Sequence, residues 1–262
     1  MTFRERRLSH TMSRRAKAQP RGKDGRFMTK KVTMVADEVG DMSKTNISKS
    51  GRATSSKTFS YGISAIPESK KKEFVDISAD YKNKMAVKKE FKARKLNYQR
   101  RYAIAEKIGG CGVETYGYTI DKLSGVPNGW ENDDRDAVQI ATLKKSLEKT
   151  VKNTNASKID VVIDDHKAYH GLLRNHAKRI IREIDKKRDG KKVTGGTYDS
   201  AYGRNSGLIE TNDIVAHGVY RYAELEDETM VRLTGTKVTR LDSSETLEVK
   251  KRPTLRRRSR HE

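Results

Sequence analysis

The chain shows no apolar periodicity before residue 32, where "VTMVA" (Val32–Ala36) forms the first hydrophobic run and predicts a short strand. Residues 40–56, rich in Ser, Thr, Lys and Gly, read as a loop. "KTFSYGISAIP" (Lys57–Pro67) alternates Phe59, Tyr61, Ile63 and Ala65 with smaller residues, the period of two that predicts a strand, and Pro67 ends it. Phe74, Ile77, Tyr81 and Met85 then recur at helical spacing. Lys88–Asn97 is irregular, and Tyr98, Tyr102, Ala105 and Ile108 mark a second helix that stops at Gly109-Gly110.

The second half continues in the same way. "VETYGYTI" (Val113–Ile120) is an alternating strand, and a loop with Pro127 and Gly129 follows. A helix over residues 134–152 presents Ala137, Ile140, Leu143, Leu147 and Val151. "KIDVVIDD" (Lys158–Asp165) has a near-continuous apolar centre, which predicts a strand covered on both faces. The next helix runs to about Asp185. "DGKKVTGGTYDS" leaves room for a short strand, and the glycines of "VTGGTYDSAYGRNSG" suggest a flexible flap near the candidate site. "SGLIETNDIVAHGVYRYAE" predicts a helix burying Leu208, Ile209, Val215, Ala216 and Val219, while "MVRLTG" and "KVTRL" read as short strands. Strands alternating with helices over residues 32–224 make an α/β domain, with residues 225–249 a small C-terminal appendage.

Charge changes the picture at the ends. The 262 residues carry a net charge of +22. Residues 1–31 hold eleven Lys and Arg against two acids, and residues 250–262 hold seven against one, so only +7 belongs to the middle. Both ends lack periodicity and read as disordered basic arms. Such arms bind polyanions, nucleic acid (DNA or RNA) first among them, through Arg14, Arg15, Lys30, Lys31, Arg256, Arg257 and Arg258. A membrane surface is the weaker partner, since neither arm has an apolar face. No apolar run is long enough for a membrane span, and no secretory signal is visible. The single cysteine, Cys111, forms no internal disulfide and sits among Gly109, Gly110 and Gly112 as a structural thiol at a turn. These features predict an intracellular, cytoplasmic protein.

Acids recur where apolar elements end. Asp37 and Glu38 follow the first strand, and Asp164 and Asp165 follow "DVVI". Asp213 stands on a helix between Ile209 and Val215-Ala216, and Glu90 lies in "KEFK". A buried carboxylate is costly unless a cation shares its charge. Mg²⁺ or Mn²⁺ takes a few carboxylates and leaves positions for water or phosphate, and two such ions about 4 Å apart support phosphodiester cleavage. Taken singly, Asp37 or Asp164 is an ordinary turn residue, Asp213 has Arg204 or Arg221 as an alternative partner, and Glu90 suits a solvated face. His166 and His170 have the i,i+4 spacing of two zinc ligands but no third soft ligand, so a water-facing pair at a helix start fits better. His217, one turn after Asp213, is a candidate auxiliary group for leaving-group protonation.

The order of these motifs resembles a large uncharacterised family of bacterial, archaeal and phage proteins, known as a domain of unknown function and predicted to be RNase H-like. That family opens with a strand ending D-E-S-G, matched here by Asp37-Glu38-Val39-Gly40. A strand ending at a proline, as in "YGISAIP", comes next, and then an E-x-K segment matched by Glu90-Phe91-Lys92. "YGYTIDK" and "VVID" resemble its strands that end in Asp. Asp199-Ser200 and "LIETNDIVAHG" resemble its closing D-S and L-Q-x-A-D-hydrophobic-hydrophobic-A-G helix, with Asp213 in the D position. The departures are Val39 for Ser, Ile209-Glu210 for L-Q, Asn212 for Ala, and His217 inserted between Ala216 and Gly218.

The resemblance covers about residues 32–224 and implies a mixed sheet flanked by helices. It also implies a two-ion, metal-dependent nuclease whose ligands are Asp37, Glu90, Asp164 and Asp213. In that picture Asp37 bridges both Mg²⁺ or Mn²⁺ ions, Asp164 and Asp213 complete the two sites, and Glu90 binds one. Lys92 orients the scissile phosphate or the attacking water, and Glu38 edges the site. Two rivals stay open. A restriction-endonuclease-like site would use Asp37, Glu90 and Lys92 and leave Asp164 and Asp213 idle. A non-catalytic nucleic-acid-binding or structural protein would depend on its arms alone.

Overall fold

The computed structural model describes residues 31–40, 56–85, 92–121, 135–154, 156–164, 172–187, 192–198, 205–241 and 246–248. Three alternating segments make an antiparallel meander: β1 (Lys31–Val39), β2 (Thr58–Pro67) and β3 (Glu114–Asp121). The apolar strand β4 (Lys158–Asp164) joins the other side of β1 in parallel, and β5 (Lys192–Tyr198) lies parallel beyond it. β6 (Lys237–Arg240) pairs in parallel with β3, and β7 (Thr246–Glu248) closes that edge. The result is one seven-stranded mixed sheet in the order β5-β4-β1-β2-β3-β6-β7.

Side-chain alternation divides the sheet into two cores. Val32, Met34 and Ala36 of β1 join Phe59, Tyr61 and Ile63 of β2 under α3 (Arg135–Asn153) and α4 (Leu172–Lys187). Val35 and Ile66 face the opposite layer, made by α1 (Lys71–Lys84), α2 (Tyr98–Gly110), α5 (Ser206–Leu225) and α6 (Thr229–Thr234). β4 feeds both cores, Val161 one and Val162 the other, as its unbroken apolar centre requires. An α/β sheet flanked by helices is therefore the observed fold class.

Three local expectations are corrected. β1 extends to Val39, so Asp37 and Glu38 lie inside the strand and not behind it. Their backbones pair with Gly62 and Tyr61 of β2, and this ladder holds polar residues that an apolar run does not count. "MVRLTG" forms the helix α6, because Met230, Val231 and Thr234 bury one face, and it ends at Gly235 with φ 70°. The expected short strand is present as β5, which takes Gly195-Gly196 out of the expected flap, while residues 199–204 of that stretch lie outside the described residues. Gly195 has φ +132°, and a Cβ there would lie 1.9 Å from the Val161 carbonyl oxygen, so β5 can lie against β4 only with glycine at this position. The appendage residues contribute α6, β6 and β7, and both strands extend the same sheet.

Candidate active site

The ladder fixes which residues share a row. Asp37 pairs with Gly62, and Gly62 pairs with Gly117, so these three lie side by side on the face covered by α5. On the other side of β1, the parallel register ends at Ala36 opposite Ile163, and one further step sets Asp164 beside Asp37. Asp37 follows Val35, and Asp164 follows Val162, at the period of two, so both carboxylates share the face of those valines. The same alternation turns Glu38 toward the α3 and α4 layer, so the two adjacent acids divide between the faces.

Helix α5 lies close over this row because two of its three residues, Gly62 and Gly117, are glycine. A Cβ on Gly62 would come 2.5 Å from the Ala216 Cα, and one on Gly117 would come 2.6 Å from a Val219 methyl. Three helical residues advance about 4.5 Å along the axis, close to the strand spacing of about 4.8 Å. Ala216 over β2 and Val219 over β3 therefore bring Asp213, three residues earlier, over β1 and Asp37. Asn212 fixes the crossing. Its amide nitrogen donates to the Gly62 carbonyl at 3.0 Å, and its amide oxygen accepts from the Ser64 hydroxyl at 2.6 Å. Asn212 is fully buried.

The fourth contributor comes from the segment before α2. Lys92 Nζ is 3.7 Å from Asp164 Oδ2. The next residue, Ala93, donates its backbone N–H to Asp213 Oδ2 at 2.5 Å. Ala93–Lys95 is a short 3-10 turn, and Arg101 ties it to α2 by donating to the carbonyls of Ala93 (2.7 Å) and Arg94 (2.9 Å). Two consecutive residues thus touch two of the three aspartates.

Burial of this kind has an electrostatic consequence. Asp37 is 4% exposed and Asp164 1%. Burial first, and then the negative charges of Asp213, Asp164 and Glu38, hold the Asp37 carboxyl well above the usual carboxylate range, with Lys92 opposing them. His217, one turn beyond Asp213, stacks on Tyr220 with ring centroids 6.3 Å apart. Burial, then the cations Arg101 and Arg221, lower its pKa to about 4. Its Nε2 is buried without a hydrogen-bond partner among the described residues. The imidazole is therefore neutral at pH 7, which does not suit it to give up a proton there.

Of the residues singled out from sequence, Asp37, Asp164, Asp213 and Lys92 come together, and His217 lies one helical turn away. Glu90, Arg14, Arg15, Lys30, Arg256, Arg257, Arg258, His166 and His170 lie outside the described residues. Lys31 is the first residue of β1, with Nζ 3.3 Å from Glu68. Among the described residues no three His, Cys, Asp or Glu side chains stand at metal-ligand spacing. Sequence reasoning missed Gly62, Ser64 and Asn212. The usable signals were small residues at alternate positions of β2 (Ser60, Gly62, Ser64) and one amide inside an apolar helix face.

No protein-family profile matches the chain, and no curated protein matches it significantly.

Proposed function

We propose that the chain is a metal-dependent nuclease of the RNase H-like class, hydrolysing phosphodiester bonds of DNA or RNA. The observation that carries this reading is the approach of Asp164 and Asp213 to Asp37, whose carboxyl pKa both of their charges raise, with Lys92 against Asp164. The mixed sheet, with Asp37 on an interior strand, Asp164 ending its parallel neighbour and Asp213 on the last long helix, is the arrangement that the family resemblance implies. A restriction-endonuclease-like site would leave Asp164 and Asp213 without a task, so their proximity to Asp37 favours the RNase H-like reading.

The donor set is all oxygen and strongly negative, which fits Mg²⁺ or Mn²⁺ better than softer metals. Such ions, when bound, supply an activated water and stabilise the leaving oxygen. The chain's own residues prepare the place. Asp37, which feels the charge of both Asp164 and Asp213, would be the ligand common to bound ions, with Asp164 and Asp213 completing the set. Lys92 offsets part of the carboxylate charge in the absence of a cation and presents a positive group to an incoming phosphate. The Ala93 N–H holds one Asp213 oxygen, which fixes that carboxylate relative to the turn carrying Lys92.

The test is Asp37→Asn in the purified full chain, assayed on labelled DNA and RNA with Mg²⁺ or Mn²⁺. Cleavage should fall by at least about 100-fold. Undiminished cleavage would refute the assignment.

A further inference from the structure

The segment that touches the aspartates continues into an unbroken stretch of positive charge. Residues 92–105 contain Lys92, Arg94, Lys95, Arg100 and Arg101 and no acid. Arg94, Lys95 and Arg100 are exposed, and none of the three is paired with a carboxylate among the described residues. On the neighbouring elements Lys70, Lys72, Lys82, Lys107, Arg221 and Arg232 each pair with a carboxylate, so these three cations form a local excess. It also sits on a fixed base. Asn97 caps α2 by accepting from the Arg100 N–H at 3.0 Å, and Arg101 fastens the preceding turn through two carbonyls.

An aromatic group stands within this cluster. Tyr98 is 55% exposed, the second most exposed large apolar side chain of the described residues after Leu225 at 57%. The Arg101 and Arg221 guanidinium carbons lie 5.4 and 4.8 Å from its ring centroid, and the Tyr102 ring is 6.1 Å away. Arg221 is itself held by Asp227, at 2.8 and 2.6 Å. The ring is thus braced by two cations, and one of these, Arg101, is bound to the turn whose Ala93 N–H meets Asp213.

Exposed cations around a braced, exposed aromatic ring form the pattern that binds a single nucleic-acid strand. The cations follow the phosphates and the ring stacks on a base, whatever its identity. We propose that this shelf, Arg94, Lys95, Tyr98 and Arg100, is the substrate-binding surface of the folded domain and holds an unpaired strand leading to the three aspartates. The inference rests on the nuclease reading for its direction and deepens it by naming the substrate class, single-stranded nucleic acid or a strand end splayed from a duplex. The shelf also gives the domain a nucleic-acid contact independent of the basic arms. A repulsive row of carboxylates needs such a contact, because phosphates approach it against its charge.

The test is equilibrium binding of a fluorescent single-stranded oligonucleotide of about 20 nucleotides, and of the matching blunt duplex, by the full chain in EDTA. Binding is thereby read without cleavage, so an inactive protein neither mimics nor hides the result. The triple change Arg94→Ala, Lys95→Ala and Arg100→Ala should weaken single-strand affinity about 10- to 100-fold at 0.1 M salt and lower the salt slope by about two. Tyr98→Ala should weaken single-strand binding about fivefold or more while leaving the duplex nearly unchanged. All four positions are exposed, and matching circular dichroism spectra and melting temperatures establish that the variants are folded. Parent-like affinity and salt slope in both variants would overturn the proposal and leave the arms as the binding surface. Equal losses on duplex and single strand in the tyrosine variant would overturn the single-strand assignment. Normal binding losses with Asp37→Asn fully active would reject the nuclease reading and keep the shelf.

Discussion

At the residue scale, Asp37 is placed against its own stability. Burial and three neighbouring negative charges raise its pKa, so the folded chain binds the proton more tightly than the unfolded chain does. A raised folded pKa contributes stability that is fully present below the unfolded value, near 3.8, and is lost as pH rises through the folded value. At pH values above the unfolded pKa the group therefore burdens the fold, as functional groups often do. Asp37→Asn should melt above the parent at pH 8 in EDTA, by several degrees, and the gap should close as the pH falls toward 4. Mg²⁺ at millimolar concentration should raise the parent's melting temperature and leave that of Asp37→Asn nearly unmoved. Differential scanning fluorimetry over a pH series reads both effects. Equal melting of parent and variant at every pH, with and without Mg²⁺, would mean that Asp37 is an ordinary buried polar group. The sequence exposed Asp37 as an acid near an apolar run, but its separation from Glu38 depends on a strand length that only the β2 ladder sets.

At the element scale, the site depends on one helix crossing three strands. The near match between three residues of helical rise and one strand spacing lets Asp213, Ala216 and Val219 stand over successive strands. Gly62 keeps the crossing close, since any Cβ there meets helix backbone and not a side chain that can turn away. Gly62→Val should cost about 1–3 kcal/mol in urea unfolding and reduce cleavage well beyond that stability loss, because Asp213 moves with the helix. Gly62→Ala should show the same pattern more mildly. Full activity in a folded Gly62→Val protein would contradict the close crossing. Strongly periodic elements such as β2, α1, α3 and α5 were legible, since a single repeating face decides them. α6 was not, because six residues give too little periodicity to separate a helix turn from a strand. Asn212, which departs from the family pattern, forms the two hydrogen bonds that fix α5 on β2, a role that no periodicity announces.

At the scale of the whole molecule, charge is arranged in opposition. A compact group of carboxylates lies beside a basic shelf, and sequence alone places the larger basic excess in residues 1–31 and 250–262. The convergence of aspartates from β1, β4 and α5 was legible only through motif order, because no local pattern reports which distant strands become neighbours. Arms and shelf should do different work. On the proposed nuclease reading, the basic ends would act at a distance by concentrating a polyanion, so they should change KM and its salt dependence. On the same reading, the shelf and the aspartates would act on the bound strand, so they should change kcat as well. Replacing Arg14, Arg15, Lys30, Arg256, Arg257 and Arg258 with Gln in the full chain should raise KM about tenfold or more at 0.1 M salt and leave kcat within about twofold. Steady-state cleavage at several salt concentrations separates the two parameters. A large fall in kcat would mean that the arms help position the scissile phosphate, and the division of labour would fail. Loss of nucleic-acid binding with the arms neutralised, together with no metal-dependent cleavage by the parent, would instead support a non-catalytic binding protein.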